Sequence, residues 1–293
     1  LIKLVPSYFE LLTESICKSQ VNKVILGGEK LDPSIIKRIR ELNPKNNLRV
    51  YDEYGPTETT VGACISQVYP KYNLTIGKLY NNFKAYILNQ NLCALPVGAI
   101  GELYIGGIGL ARGYLNRPDL TAEKFIANPY SLEEKLYKTG DLVRWLSTGE
   151  LEYIGRNDSQ VKIRGYRIEL SAIESELMEH ENIIKALVVL KYSDMFPERL
   201  VSYIVTNGSE LKSNEIKEFL LKRIPEYMVP QCFIFLKNIA LTINGKIDYR
   251  ALPDPSFSIE DINYMEPSTA LELSLSKIWS DLLKLPQDKI SIQ

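Results

Sequence analysis

The decapeptide Tyr51-Asp52-Glu53-Tyr54-Gly55-Pro56-Thr57-Glu58-Thr59-Thr60 gathers an aromatic ring, a bend, hydroxyls and carboxylates on what reads as a loop. Pro fixes φ and Gly adopts backbone angles other residues avoid, so Gly55-Pro56 marks a sharp turn. The apolar run Leu48–Tyr51 before it reads as a short buried strand. A ring that can stack on a base and an acid that can hold Mg²⁺, set at a strand end, suit a nucleoside triphosphate. A capped turn with a structural Tyr is the plainer alternative.

Further polar clusters recur at wide spacing. Gly101–Tyr114 is dense in glycine but holds neither a P-loop lysine nor a Gly-x-Gly-x-x-Gly, so tight strand turns explain it better than a phosphate cradle. Tyr137-Lys138-Thr139-Gly140-Asp141 sets a carboxylate after a turn, where it can accept from ribose hydroxyls or simply be an Asp turn. Gly155–Glu169 is basic, as a solvated strand face also is. Asn244-Gly245-Lys246 puts a lysine after a turn.

The elements that must position these groups alternate between helical and strand patterns. Residues 1–71 carry a helical spacing at Tyr8-Phe9-Leu11-Leu12, then an apolar strand at Val21–Leu26 ending in Gly27-Gly28. Asp32-Pro33 opens a helix, with Asp32 as cap. This predicts parallel βα units with ligand loops at the strand C-termini. Residues 72–156 read as short strands (Ala85–Leu88, Gly101–Ile105, Leu151–Ile154) of a small distorted β-barrel. Residues 157–252 read as a small α+β unit. It opens on a capping box, Ser171 to Glu174, ahead of the apolar positions Ile173, Leu177 and Met178, and continues in strands Ala186–Leu190 and Val201–Val205 and a helix near Asn214–Arg223. Residues 253–268 form a polar linker. Residues 269–293 hold an amphipathic helix behind a second capping box, Thr269 to Glu272, with Leu271, Leu275, Ile278, Trp279 and Leu282 on its apolar face.

Composition sets limits. The 293 residues, 45% apolar and with a formal charge of −1, suit a multidomain globular protein and argue against a broad grip on nucleic acid or an anionic membrane. No apolar run reaches the ~18 residues of a membrane span. Cys17, Cys64, Cys93 and Cys232 are too scattered for a zinc site and read as reduced core thiols of a cytoplasmic protein. His180 reads as a solvated helix-end residue. The start, Leu1-Ile2-Lys3-Leu4-Val5-Pro6, lacks Met and a basic leader and reads as internal to a longer protein. The Lys-, Asn-, Ile- and Tyr-rich composition points to an AT-rich bacterial genome.

Taken together and in this order, the clusters resemble the later motifs of nonribosomal peptide synthetase adenylation domains, members of the acyl-adenylate-forming superfamily. Tyr54–Glu58, Gly101–Thr121, Tyr137–Asp141, Gly155–Glu174, Pro225–Pro230 and Asn244–Lys246 carry the resemblance, which covers the whole chain. Asp52 stands where the family usually has Asn, Ser171 where it has Gly, and Tyr249 where it has Arg. The family's phosphate loop and its amine-anchoring aspartate lie upstream of Leu1, so the isolated chain is expected to be inactive. The last helix resembles the first helix of a peptidyl carrier domain; the serine that takes phosphopantetheine is not reached.

The resemblance implies the end of a flavodoxin-like α/β subdomain, a barrel and a mobile C-terminal subdomain. It implies ATP, Mg²⁺ and a carrier-borne phosphopantetheine, with a downstream carrier domain and other synthetase modules as partners. An amino-acid carboxylate attacks ATP to give aminoacyl-AMP and pyrophosphate, and a pantetheine thiol then takes the acyl group. The carboxylate is already ionised at neutral pH, so alignment and charge neutralisation must do the catalysis. By motif position, Tyr54 stacks on adenine beside Asp52, Thr57 meets phosphate, Glu58 holds Mg²⁺, Asp141 binds ribose, and Tyr153 and Arg156 line the nucleotide. Lys246 bridges the reacting oxygens. Asp158 matches the hinge, and Arg164-Gly165 the loop swung toward the pantetheine channel.

Lys3, Ile25, Gly27, Glu53, Val61 and Gly62 match the positions that set substrate choice in the family. A lysine and a glutamate in a small apolar pocket are costly unless the ligand satisfies them. Asparagine does so: its amide oxygen accepts from Lys3 and its NH₂ donates to Glu53. The alternatives are that Lys3 and Glu53 pair only with each other, or that Lys3 points elsewhere. Two other readings of the chain are an acyl- or aryl-acid CoA ligase of the same superfamily, and a non-catalytic nucleotide-site fragment.

Overall fold

The structure, a computed structural model, describes residues 1–43, 48–69, 74–163, 165–193, 196–242, 245, 247–255, 265–283, 286–287 and 290–291. The side chains of residues 193, 196–197 and 282–283 are not described. The chain forms two compact units, Leu1–Glu169 and Leu170–Gln293.

In the first unit, β1 (Ile2–Leu4), β2 (Lys23–Gly27) and β3 (Arg49–Tyr54) run parallel, and β4 (Cys64–Tyr69) and β5 (Lys78–Leu79) add antiparallel to them, in the order β1-β2-β3-β4-β5. Parallel strands need crossovers, supplied by α1 (Pro6–Lys18) and α2 (Pro33–Leu42). The start of α2 is as the sequence predicts: Asp32 caps it by accepting from the Ser34 amide at 2.7 Å, with Pro33 in the first turn. Phe9, Val24, Leu26, Ile39 and Val50 are fully buried between helices and sheet, each worth about 1.5–3 kcal/mol of apolar burial.

The second sheet is antiparallel, with β6 (Phe83–Leu88), β7 (Gly101–Gly107), β9 (Lys135–Trp145) and β10 (Leu151–Arg156) in the order β10-β9-β7-β6. After α3 (Pro118–Lys124), β8 (Phe125–Ala127) pairs with β9. The expected small barrel is this sheet, curled into a half-barrel. The basic stretch forms a hairpin, β11 (Gln160–Ile163) and β12 (Tyr166–Glu169), in which Lys162 lies opposite Arg167.

The second unit opens on α4 (Leu170–Met178). The hairpin of β13 (Ile183–Ser193) and β14 (Phe196–Thr206) follows, then α5 (Ser213–Leu221), β15 (Cys232–Phe235) parallel to β14, and α6 (Ala270–Leu283). Two helix starts differ in outcome. Thr269 and Glu272 do form a capping box: the Glu272 amide donates to Thr269 Oγ1 at 3.2 Å, and the Thr269 amide to Glu272 Oε2 at 2.9 Å. Ser171, by contrast, lies inside α4, and Glu174 accepts from the Val188 amide of β13 at 2.9 Å. A sheet amide competing for that carboxylate is a tertiary effect that spacing does not reveal. Met178 is 45% exposed although Ile173 and Leu177 are fully buried. On α6, Leu271, Leu275, Ile278 and Trp279 are exposed.

His180 is half-buried, its ring edge-on to Phe219 at 4.9 Å, rather than solvated. Cys93 is exposed, so the cysteines are not all core residues. Among the described residues no helix is long and apolar enough to cross a membrane.

Candidate functional site

The C-terminal ends of the three parallel strands place Lys3, Gly27 and Glu53 side by side, because Lys3 pairs with Ile25 and Gly27 with Glu53 in register. Lys3 Nζ contacts Glu53 Oε2, and Tyr80 Oη donates to Glu53 Oε1 at 3.0 Å. The Glu53 side chain is 9% exposed and the Lys3 side chain 47%. Two glycines make room for it. A Cβ on Gly62 would stand 2.8 Å from the Glu53 carboxyl, and one on Gly27 2.9 Å from the Glu53 carbonyl. Ile25 is half-buried on β2. Val61 is 59% exposed at φ +72°, a left-handed conformation that a β-branched residue rarely holds.

Behind the strand ends, Tyr54 is buried and its hydroxyl donates to Asp141 Oδ2. Asp141 Oδ1 accepts from Arg156 Nη1 at 2.6 Å. The same guanidinium holds both oxygens of Asp158 at 2.6 Å, so one arginine bridges the two aspartates. Gly140, at φ +76°, permits it: a Cβ there would lie 2.4 Å from Asp158 Oδ2 and 2.7 Å from Arg156 Nη2. Burial raises the Asp141 pKa despite Arg156. Burial also opposes ionisation of Asp158, but its hydrogen bonds and the charge of Arg156 more than offset it and lower the pKa. The Tyr153 ring lies 6.5 Å from that of Tyr54.

A third group surrounds Glu58, 7% exposed on the turn Thr57–Thr59. Arg167 Nη1 donates to both its oxygens at 2.8 and 2.7 Å, Tyr114 Oη donates to Oε1, and Arg167 Nη2 donates to Tyr137 Oη at 3.1 Å. Burial works against the charge on Glu58, but Tyr114 and Arg167 outweigh it and lower its pKa. Asp52 behaves oppositely: burial, reinforced by Glu53 and only partly countered by Lys162, pushes it up to about 7. Burial lowers the pKa of Lys162.

A cavity of about 400 Å³ joins these groups, lined by Lys3, Gly27, Glu53, Thr57, Val61, Asp141, Arg156 and Gly165 from the sequence reading. Thr57 is exposed at its rim. Gln160, Lys162 and Arg167 also line it. The sequence alone gives these no role, nor Tyr80 or Tyr114. Lys162 and Arg167 had a signal, since both lie in the basic stretch Gly155–Glu169; Tyr80 had none. Lys246 and Arg164 lie outside the described residues. Among the described residues, no cluster of three or more His, Cys, Asp or Glu could hold a metal ion.

Residues 1–115 match the family described as AMP-binding enzyme, and residues 172–246 match AMP-binding enzyme C-terminal domain. The chain is 44% identical over 284 residues to gramicidin S synthase 2 of Aneurinibacillus migulanus, covering 95% of this chain and 6% of that protein. It is 42% identical over 293 residues to bacitracin synthase 3 of Bacillus licheniformis, covering 98% and 5%. The chain thus spans a small part of the curated relatives it matches. Among solved structures, holo-PA1221, an NRPS protein containing adenylation and PCP domains, superposes with a TM-score of 0.73 at 26% identity, over 97% of this chain and 48% of that one. The chain belongs to the AMP-binding enzyme family, among the adenylation domains of nonribosomal peptide synthetases.

Proposed function

We propose that this chain forms part of an amino-acid adenylation site that activates L-asparagine with ATP, giving asparaginyl-AMP and pyrophosphate, for transfer to a carrier-borne phosphopantetheine thiol. The observation that carries the asparagine reading is the Lys3–Glu53 pair at the cavity wall, with Glu53 almost wholly buried. An ammonium and a carboxylate side by side are complementary to a primary carboxamide: one donates to its oxygen, the other accepts from its nitrogen. Aspartate would set a second carboxylate against Glu53, and glutamine is one methylene too long. The pair that closes on itself here is opened by a ligand that satisfies both ends.

Asp141, between Tyr54 and Arg156, is the acceptor suited to ribose hydroxyls, and Tyr54 and Tyr153 supply rings for the base. Asp52 lies beside Tyr54, and Thr57 is the hydroxyl for phosphate. Arg156 and Lys162 put positive charge on the cavity wall, where charge on the phosphates is neutralised. Lys246 is assigned the reacting oxygens by its motif alone, as a compact charge on a flexible stem. Asp158 takes the hinge role and Arg164-Gly165 the thiolation loop.

Mg²⁺ prefers carboxylate, phosphate and water oxygens, and Glu58 offers such a carboxylate. Both Glu58 oxygens are held by Arg167, so the donor fits the ion only when Arg167 lets go. When bound, the ion would neutralise phosphate charge. Pyrophosphate exchange with asparagine, aspartate and glutamine, on a complete adenylation domain carrying this chain, tests the reading: exchange should be strongest with asparagine, and preference for another amino acid would remove the pocket assignment.

A further inference from the structure

We infer that Tyr80 is a specificity-positioning residue, fixing the Glu53 carboxylate so that one oxygen alone faces the substrate. The inference rests on the asparagine reading and extends it to a residue outside the recognised pocket set. A glutamate reaches its target through three rotatable bonds, and its carboxylate turns freely unless held. Here Tyr80 Oη donates to Oε1 at 3.0 Å, on the side away from Lys3, which contacts Oε2. Tyr80 is itself fixed by its backbone, its amide donating to the Ala63 carbonyl at 2.8 Å and its carbonyl accepting from the Phe83 amide at 3.3 Å. Its ring packs close to Gly62: a Cβ there would stand 3.1 Å from Tyr80 Cε2 and 2.8 Å from Glu53 Oε1. The absence of a side chain at Gly62 is what lets hydroxyl and carboxylate meet.

With Oε1 occupied, Oε2 is the acceptor left for a carboxamide NH₂, at a fixed depth in the pocket. A fixed depth is what separates asparagine from an amide one methylene longer. Without the hydroxyl, Glu53 can retreat to admit glutamine, and it pays conformational entropy each time asparagine orders it. A hydrogen bond to a charged group sets the scale at about tenfold.

The test is pyrophosphate exchange by a complete adenylation domain carrying this chain, comparing parent, Tyr80→Phe, Glu53→Gln and the double variant. Tyr80→Phe should raise the asparagine KM about tenfold with kcat changed less than twofold, and should narrow the asparagine-over-glutamine ratio. In the Glu53→Gln background the same substitution should have a smaller effect, because the neutral amide oxygen left there accepts from Tyr80 more weakly than the carboxylate does. Unchanged asparagine KM and selectivity in Tyr80→Phe, or an equal effect in both backgrounds, overturns the role of Tyr80 while leaving the asparagine reading standing. A parent without asparagine preference overturns the reading itself and the role that rests on it.

Discussion

Arg167 Nη1 lies 2.8 and 2.7 Å from the two carboxylate oxygens of Glu58, so the acid expected to meet Mg²⁺ is already neutralised by the chain's own arginine. Arginine already fills a lone pair on each oxygen, and its positive charge repels a divalent cation brought to the same carboxylate. Arg167→Ala should therefore tighten Mn²⁺ binding, about tenfold if one charge-assisted contact is released. Electron paramagnetic resonance on a complete adenylation domain, with ATP present, reads it directly. Glu58→Gln should remove the gain; a gain that survives it would place the ion elsewhere.

Gly140 and Gly149 share a positive φ, +76° and +73°, but a Cβ on Gly140 would strike Asp158 and Arg156 whereas one on Gly149 meets nothing within 4 Å. Gly149→Ala should cost only the backbone strain, about 1 kcal/mol. Gly140→Ala should add the loss of a buried ion-pair bridge, for a total of about 3 kcal/mol. Urea unfolding of both variants checks the difference. Equal losses would show that the bridge contributes nothing to stability.

Asp52 carries a proton in the folded chain up to about pH 7, whereas an unfolded aspartate loses it near pH 4. Between those values the native state binds more protons than the unfolded one, so this group's contribution to stability falls as pH rises and levels off above 7. Asp52→Asn removes the titration. It should stabilise the chain at pH 8 relative to the parent, by about 4 kcal/mol, and flatten the decline between pH 5 and 8. A parallel pH profile for parent and variant would contradict the buried-carboxylate account.

Much of this was legible in the residues. The parallel strand ending at Gly27, and the Asp32 cap, follow from local patterns whose causes are local: strand periodicity, a proline φ, a short side chain reaching an amide. The strand read as Leu48–Tyr51 instead runs on to Tyr54, because pairing with β2 and β4 holds Asp52 and Glu53 extended where their sequence reads as loop. The Asp141 turn was legible as a carboxylate position. Its partners were not, because Arg156 meets it only through the β9–β10 register and Tyr54 reaches it from β3, a strand distant in sequence. Glu174 shows the same limit, as the box predicted from spacing lost its acid to a sheet amide. Arg167 lay in a stretch noted as basic, but only the β11–β12 hairpin reveals which face it shows to Glu58. Tyr80 gave no signal, since a tyrosine near a strand end is ordinary until Glu53 is found beside it.

The central claim is that Lys3 and Glu53 read a carboxamide, and the most direct measurement removes one half of the pair. Pyrophosphate exchange by a complete adenylation domain carrying this chain, with asparagine and aspartate, should favour asparagine strongly in the parent. Glu53→Gln should cut that preference about tenfold or more, since it removes the charge that repels aspartate. An asparagine-over-aspartate preference left unchanged by Glu53→Gln, or a parent that activates neither, would contradict the account.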